Sequence, residues 1–233
     1  MSSSDRNPKT SGTQPQLSTE GIPGDNRQAL FLEMLPHRLK RSRDDALFDC
    51  YLPAHYRRVA RQYWSPLDVA VRVARWLDEL EIASVVDVGS GVGKFCIATA
   101  LASHASFVGI EQRGDLVGMA RGIALMLGLD GRVRFIEGIL GDVMLPVAGC
   151  YYFFNPFGES LFGPEHRLHD EVEVSQARSL RDVRLAEKLL TSLPVGTYVI
   201  TYNGFGGTLP DEYVLLRSES DLPFPLRLAQ KRC

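Results

Sequence analysis

The chain has little cysteine. Its four, Cys50, Cys96, Cys150 and Cys233, lie far apart in 233 residues and form no CxxC pattern. That argues against a disulfide framework or a cysteine-based zinc site, and it fits a reducing, cytoplasmic compartment. Charge of one sign is also missing. Lys and Arg number 26 against 28 Asp and Glu, giving a net charge of -2 and a pI near 6.2. Whole-molecule attraction to nucleic acid is therefore not a driving force, although a local basic patch remains open. No apolar run is long enough to span a bilayer, and the N-terminus lacks the hydrophobic core of a signal peptide. No membrane partner is expected. Large apolar residues are scarce over residues 1–27, which are rich in Ser, Thr, Pro, Gly and Gln. A disordered tail is expected there.

What remains suffices for one domain with a sizeable core. Residues 28–65 read as a helical extension: QALFLEMLPHRLKRSR has one apolar side and a basic end, and AHYRRVARQY follows a break at Pro53. In WSPLD, Ser65 suits an N-cap, Pro66 the first helical position and Asp68 the first turn. The next helix aligns Val69, Val73, Trp76, Leu77 and Leu80 on one stripe. From there to residue 233 strands and helices alternate. SVVDV, SFVGIE, VRFIEG, CYYFFN and TYVITYN read as strands, with helices over KFCIATALAS, DLVGMARGIALMLG and about Ser179 to Leu193. EYVLLRSES and FPLRLAQ form a closing pair. The expected fold is α/β: a mostly parallel sheet covered on both faces, with a C-terminal antiparallel hairpin. Ligands on such sheets sit beyond the carboxyl ends of the strands.

The motifs fall at those ends. DVGSGVGKF, Asp87 to Phe95, is a strand, a glycine turn and a helix start. Backbone N–H groups and the helix dipole at such a turn favour an anionic ligand group. A nicotinamide fingerprint would be GxGxxG. Here Gly89, Gly91 and Gly93 make GxGxG, and Lys94 stands where the third glycine would be. Glu111 ends the second strand, where an acid can accept two ribose hydroxyls.

These residues resemble motif I of class I S-adenosylmethionine-dependent methyltransferases. The similarity runs from Trp64 to Gly207. It is strongest to bacterial methyltransferase-domain proteins with a WTP-like lead-in and GSGVGKF, GxEQR and FFNPF segments, which here read WSP, GSGVGKF, GIEQR and FFNPF, and the GSGVG turn also resembles Dot1-type lysine methyltransferases. The resemblance implies a Rossmann-like class I methyltransferase fold with S-adenosyl-L-methionine as cofactor. It places Asp87 in support of the loop and the methionine ammonium, with Gly89, Ser90, Gly91 and Gly93 passing under the cofactor. Glu111 and Gln112 would lie at the ribose, and Trp64 and Ser65 at the methionine end. The adenine acid expected two residues after Glu137 is replaced by Ile139. Backbone near Ile139 and Leu140 would then hold adenine, with Glu137 or Asp142 as alternatives.

FFNPFGE is the second informative stretch. Polarity returns abruptly at Asn155, at the strand end that faces the methyl group in this family. Amino-methyltransferases use an Asn/Asp-Pro-Pro-aromatic turn there, whose carbonyls accept from an acceptor N–H and aim its lone pair. Asn155 and Pro156 match, while Phe157 and Gly158 depart from the pattern. Asn155, Pro156 and Phe157 are the candidate catalytic residues, and no evident base is present, which favours nitrogen as acceptor. Weaker signals are His166 and His169, read as a polar loop rather than a metal site, so that no metal is expected. The basic residues of HRLKRSR with Arg57, Arg58 and Arg61 read as a solvated helix face. Tyr202, Asn203 and Phe205 read as pocket or core. The expected activity is methyl transfer to an unidentified protein, RNA or small-molecule acceptor. A non-catalytic cofactor-binding regulator is the alternative, and a nicotinamide oxidoreductase a more distant one.

Overall fold

The apolar runs form strands at the expected places in a computed structural model, which describes residues 36–40, 42–161, 168 and 175–232. The tail at 1–27 and the histidines at 166 and 169 lie outside those residues. Five strands run parallel: β1 (Ser84–Val88), β2 (Ser106–Glu111), β3 (Val133–Glu137), β4 (Cys150–Phe154) and β5 (Tyr198–Tyr202). The closing pair, β6 (Tyr213–Glu219) and β7 (Leu226–Lys231), is antiparallel, with β7 also antiparallel to β5. The sheet order is β3-β2-β1-β4-β5-β7-β6. The order reverses between β1 and β4, where Val88 pairs with Phe153, so a crevice opens beyond these carboxyl ends.

Helices cover both faces. The N-terminal region supplies α1 (Ala46–Asp49), α2 (Ala54–Tyr63) and α3 (Leu67–Glu79). The crossovers are α4 (Lys94–Ala102), α5 (Gly114–Met126) and α6 (Gln176–Ser192). Strand alternation divides the core in two. Val85 of β1 faces a cluster built with α3, α4 and α5, whereas Val86 and Val88 face the cluster of Ala186 and Leu190 from α6. Burial on both faces is why CYYFF is apolar throughout and why SVVDV carries Val at 85, 86 and 88, with Asp87 as its one buried carboxyl. Val69, Val73, Trp76 and Leu77 are buried as their spacing predicts, and Leu80 is half-buried. Leu39, Phe48, Leu52, Tyr56 and Trp64 of the extension join the same cluster as α3 and α4.

One expectation is overturned. Ser65 does not cap α3. The helix begins at Leu67, Pro66 occupies the cap position, and the Leu67 N–H donates to Asp45 Oδ1 at 2.8 Å. A carboxylate brought from 22 residues upstream suits a helix N-terminus better than a neutral hydroxyl. Ser65 Oγ instead hydrogen-bonds the buried Tyr152 hydroxyl at 2.7 Å.

Two glycines in the middle of α5 serve no packing purpose. A Cβ at Gly118 or Gly122 meets nothing within 4 Å. Each glycine costs about 1 kcal/mol relative to alanine in a helix interior. Gly118→Ala and Gly122→Ala should therefore each raise the melting temperature by about 2–4 °C in a thermal unfolding scan.

Candidate functional site

At the order reversal lies a cavity of ≈ 430 Å³, within the range of about 300–1,000 Å³ typical of small-molecule sites. The end of β1 contributes Val88, Gly89 and Gly91, and the end of β2 contributes Ile110, Glu111 and Gln112. Gly138, Ile139 and Leu140 follow β3, while Phe154, Asn155, Pro156 and Phe157 follow β4. Trp64 closes one side from the extension and Asn203 another from the end of β5.

The glycine turn is shaped by close approach. Gly89, Gly91 and Gly93 all have positive φ, at 80°, 54° and 74°. A Cβ on Gly89 would stand 2.6 Å from Pro156 Cβ, so the cofactor-side turn and the Asn-Pro turn touch directly. A Cβ on Gly91 would overlap the indole nitrogen of Trp64. The turn's donors are already committed: Gly89 and Ser90 donate to the Ile110 carbonyl at 2.9 Å, and Gly93 donates to the Ser90 carbonyl at 2.9 Å. Gly91 donates to Glu111 Oε2 at 3.1 Å. The N–H groups of Gly89, Ser90 and Gly91 thus tie the end of β1 to β2 and that of Gly93 closes the turn on itself, so these four do not point at an anion in the crevice. Lys94 does not compensate. It is 2% exposed, and its Nζ pairs with Asp45 and Asp49 of the extension, each at 2.8 Å.

Glu111 is buried but lines the cavity. Its other oxygen, Oε1, accepts from Arg113 N at 3.0 Å and lies 3.6 Å from Arg113 Nη1. Burial raises its pKa, against the lowering effects of the Arg113 guanidinium and of backbone N–H groups. Arg113 bridges onward to Glu159 Oε2 at 2.5 Å. Across the cavity Arg178 Nη2 donates to Gln112 Oε1 at 2.6 Å and pairs with Asp182 at 3.6 Å. Arg113, Glu159, Arg178 and Asp182 line the cavity and escaped sequence reasoning, as did Phe224 before β7. Arg113 and Glu159 stand inside the EQR and NPFGE stretches, so the signal was local. Arg178, Asp182 and Phe224 arrive through tertiary folding and had none.

Asp87, Ser90, Gly93 and Ser65 do not line the cavity, although each was a candidate. Asp87 projects to the opposite face of β1, where it accepts from Cys96 Sγ at 3.3 Å. Burial is the main cause that pushes its pKa up to about 7; the Glu111 charge adds to this and the Cys96 hydrogen bond opposes it. A carboxyl bound to its proton more tightly when folded favours the folded state at low pH. That advantage is fully present below the unfolded value near 3.8 and is lost as pH rises through about 7. Asp87→Asn should therefore be more stable than the parent at pH 8, with the difference vanishing near pH 4, as denaturant titrations at the two pH values would show.

The Asn-Pro turn is held tightly. Asn155 has φ 39° and donates its N–H to the Gly204 carbonyl at 2.8 Å. Its side-chain amide lies directly over Gly158, in the space any Cβ there would occupy. That explains glycine where related turns carry an aromatic residue. Ser179 Oγ fixes the Phe157 carbonyl at 2.8 Å. Tyr202 and Phe205 are core residues, whereas Asn203 lines the cavity. Neither Glu137 nor Asp142 lines it; the Glu137 carboxylate lies against Gly114. Among the described residues no group of His, Cys, Asp and Glu could hold a metal, and no helix is long and apolar enough to cross a membrane.

No protein-family model matches the chain, and no curated protein matches it. Solved structures do. A Klebsiella pneumoniae protein assigned as an O-methyltransferase superposes with TM-score 0.50 at 15% identity, covering 91% of this chain and 92% of its own. The mitomycin 7-O-methyltransferase MmcR gives TM-score 0.51 at 15% identity, over 85% of this chain and 66% of that one. The [4+2]-cyclase SpnF gives 0.51 at 12% identity, over 73% and 86%. These likenesses establish the fold: a Rossmann-like class I methyltransferase architecture with a seven-stranded sheet. The cyclase among them shows that fold alone does not fix the reaction.

Proposed function

We propose that the chain is an S-adenosylmethionine-dependent methyltransferase acting on a nitrogen acceptor. The observation that carries this reading is the contact of Gly89 with Pro156, which sets the Asn-Pro turn directly against the cofactor-side turn. The lining fits the cofactor. Glu111 would take the ribose hydroxyls, with Gln112 beside it. Ile139 and Leu140 would flank adenine, and Gly89, Gly91 and Trp64 would enclose the methionine end. A dinucleotide fits less well, because its diphosphate needs N–H donors that Gly89, Ser90, Gly91 and Gly93 already spend inside the protein.

When bound, S-adenosylmethionine would supply an electrophilic methyl carbon on a positively charged sulfur, the sulfur leaving as a neutral thioether with the C–S electron pair and the methylated nitrogen then giving up its N–H proton to solvent. The chain's own residues align and enclose. The Asn155 amide oxygen accepts an N–H of the acceptor and turns its lone pair inward, and Phe154 and Phe157 exclude water. Nitrogen is favoured over oxygen by the pairing of the lining carboxylates. Glu111 and Glu159 share Arg113, and Asp182 sits between Arg178 and Arg181. These carboxylates are engaged with arginines rather than free to take an acceptor proton, and an amine needs little base help where a hydroxyl needs much.

The test is transfer from tritiated S-adenosylmethionine to separated protein, RNA, DNA and small-molecule fractions. Label in one fraction, reduced about 100-fold by Asn155→Ala, with S-adenosylhomocysteine binding retained, is the expected result. Unchanged transfer in that variant would remove the orienting role.

A further inference from the structure

The C-terminal end of α2 reaches the cavity, which Arg61, Gln62 and Tyr63 line, and the helix sequence AHYRRVARQY contains three arginines and no acid. Tyr56 and Ala60 are buried, which turns Arg57, Arg58 and Arg61 outward on the opposite face. Among the described residues none of the three has an ion-pair partner, whereas nearby Arg43 pairs with Asp68 at 3.0 Å. Arg57 and Arg61 stand four apart, a like-charge spacing that destabilises a helix and brings no compensating contact here. Arg61 also lines the cavity. There it differs from every other charged lining residue, since Glu111, Arg113, Glu159, Arg178 and Asp182 are all paired. Aromatic rings line the same cavity, among them Phe154, Phe157 and Phe224, with Phe154 and Phe224 6.4 Å apart.

We infer that the methyl acceptor is a nucleotide unit of a single-stranded nucleic acid, its backbone held on the Arg57–Arg58–Arg61 row and its base entering the aromatic side of the cavity. This rests on the methyltransferase reading. Cationic rows beside aromatic platforms are how proteins hold single strands, the arginines meeting phosphate and the rings stacking on bases. A strand fits better than a free nucleotide, because only Arg61 of the three lines the cavity. Arg57 and Arg58 do not line it, and a longer strand would be needed to engage them. The net charge of -2 supplies no general attraction to polyanions, so the row must act locally.

The experiment measures fluorescence anisotropy of a labelled 20-nucleotide single-stranded RNA of mixed sequence on the full chain between 50 and 200 mM NaCl. Unlabelled AMP and poly-glutamate serve as competitors. Wild type should bind, and Arg57→Gln/Arg58→Gln/Arg61→Gln should bind at least about tenfold more weakly, its log–log salt slope shallower by about 2. AMP and poly-glutamate should compete poorly. Phe224→Ala, which leaves the charges in place, should weaken binding several-fold without changing the slope. Equal binding by wild type and triple variant overturns the inference, and so does preferential competition by AMP or by poly-glutamate. Calorimetry with S-adenosylhomocysteine on the same preparations separates the two levels. Binding of that compound with no row-dependent RNA binding defeats the inference alone, and failure to bind it defeats the cofactor assignment beneath it.

Discussion

Alanine at position 91 abolishes S-adenosylhomocysteine binding, with a loss of more than about 100-fold expected in calorimetry, and it also weakens the fold. Gly91 sits at φ 54°, where a Cβ is strained, and that Cβ would overlap the Trp64 indole, with Cδ1 only 2.7 Å away. The indole has nowhere easy to go. Trp64 is buried, packs edge-on against Tyr56 with ring centres 6.0 Å apart, and Tyr56 in turn hydrogen-bonds Asp115 at the start of α5. Left-handed strain of about 1–2 kcal/mol adds to overpacking of about 1–3 kcal/mol. The melting temperature should fall by roughly 4–20 °C. The binding loss is the larger effect, because the displaced indole and the shifted Gly91 N–H both border the cavity, and Glu111 loses an anchor. Gly131→Ala is the control, since a Cβ there meets nothing within 4 Å. Normal binding by Gly91→Ala would show that the turn is not where the ligand sits.

Lys94→Met is the second large effect, and it acts on stability. Lys94 is the first residue of α4, where the helix dipole disfavours a cation, and it is almost wholly buried. Asp45 and Asp49 offset both costs, and its Nζ stands 5.8 Å from the centre of the Phe48 ring. Methionine preserves the volume but leaves two half-buried carboxylates facing an apolar side chain. Breaking a buried pair from one side costs about 3 kcal/mol or more, or roughly 6–12 °C in a chain of this size. Because Asp45 also caps α3, the extension and the glycine turn should loosen together. Adding Asp49→Asn to Lys94→Met should recover part of the loss, since it removes one stranded charge and spares the cap. A silent Lys94→Met variant in thermal unfolding would contradict the clamp.

The sheet was legible because parallel strands buried on both faces leave continuous apolar runs, and SVVDV, SFVGIE and CYYFF fall on β1, β2 and β4. Glu111, Gln112, Ile139 and Leu140 were legible because a strand end in this topology can open only onto the crevice. Asp87 stands away from the cavity lining because a motif gives position but not face: one residue of register puts a side chain on the other side of a strand. Ser65 misled because a local cap rule cannot see Asp45, which reaches α3 from outside its helix. Arg178, Asp182 and Phe224 were invisible for the same reason, since they meet β2 and β4 only after the chain has folded back. Lys94 stands where a dinucleotide fingerprint has its third glycine, and its partners Asp45 and Asp49, brought in from the extension, carry its meaning.

The most direct measurement is calorimetric titration of S-adenosylhomocysteine into wild type and Glu111→Ala, with NAD as the competing ligand. A bound carboxylate acceptor contributes about 1.5–3 kcal/mol per hydrogen bond. Saturable binding of S-adenosylhomocysteine is predicted, weakened by about 100-fold in Glu111→Ala and untouched by NAD. Binding of NAD without S-adenosylhomocysteine, or S-adenosylhomocysteine binding indifferent to Glu111, would contradict the assignment of this cavity.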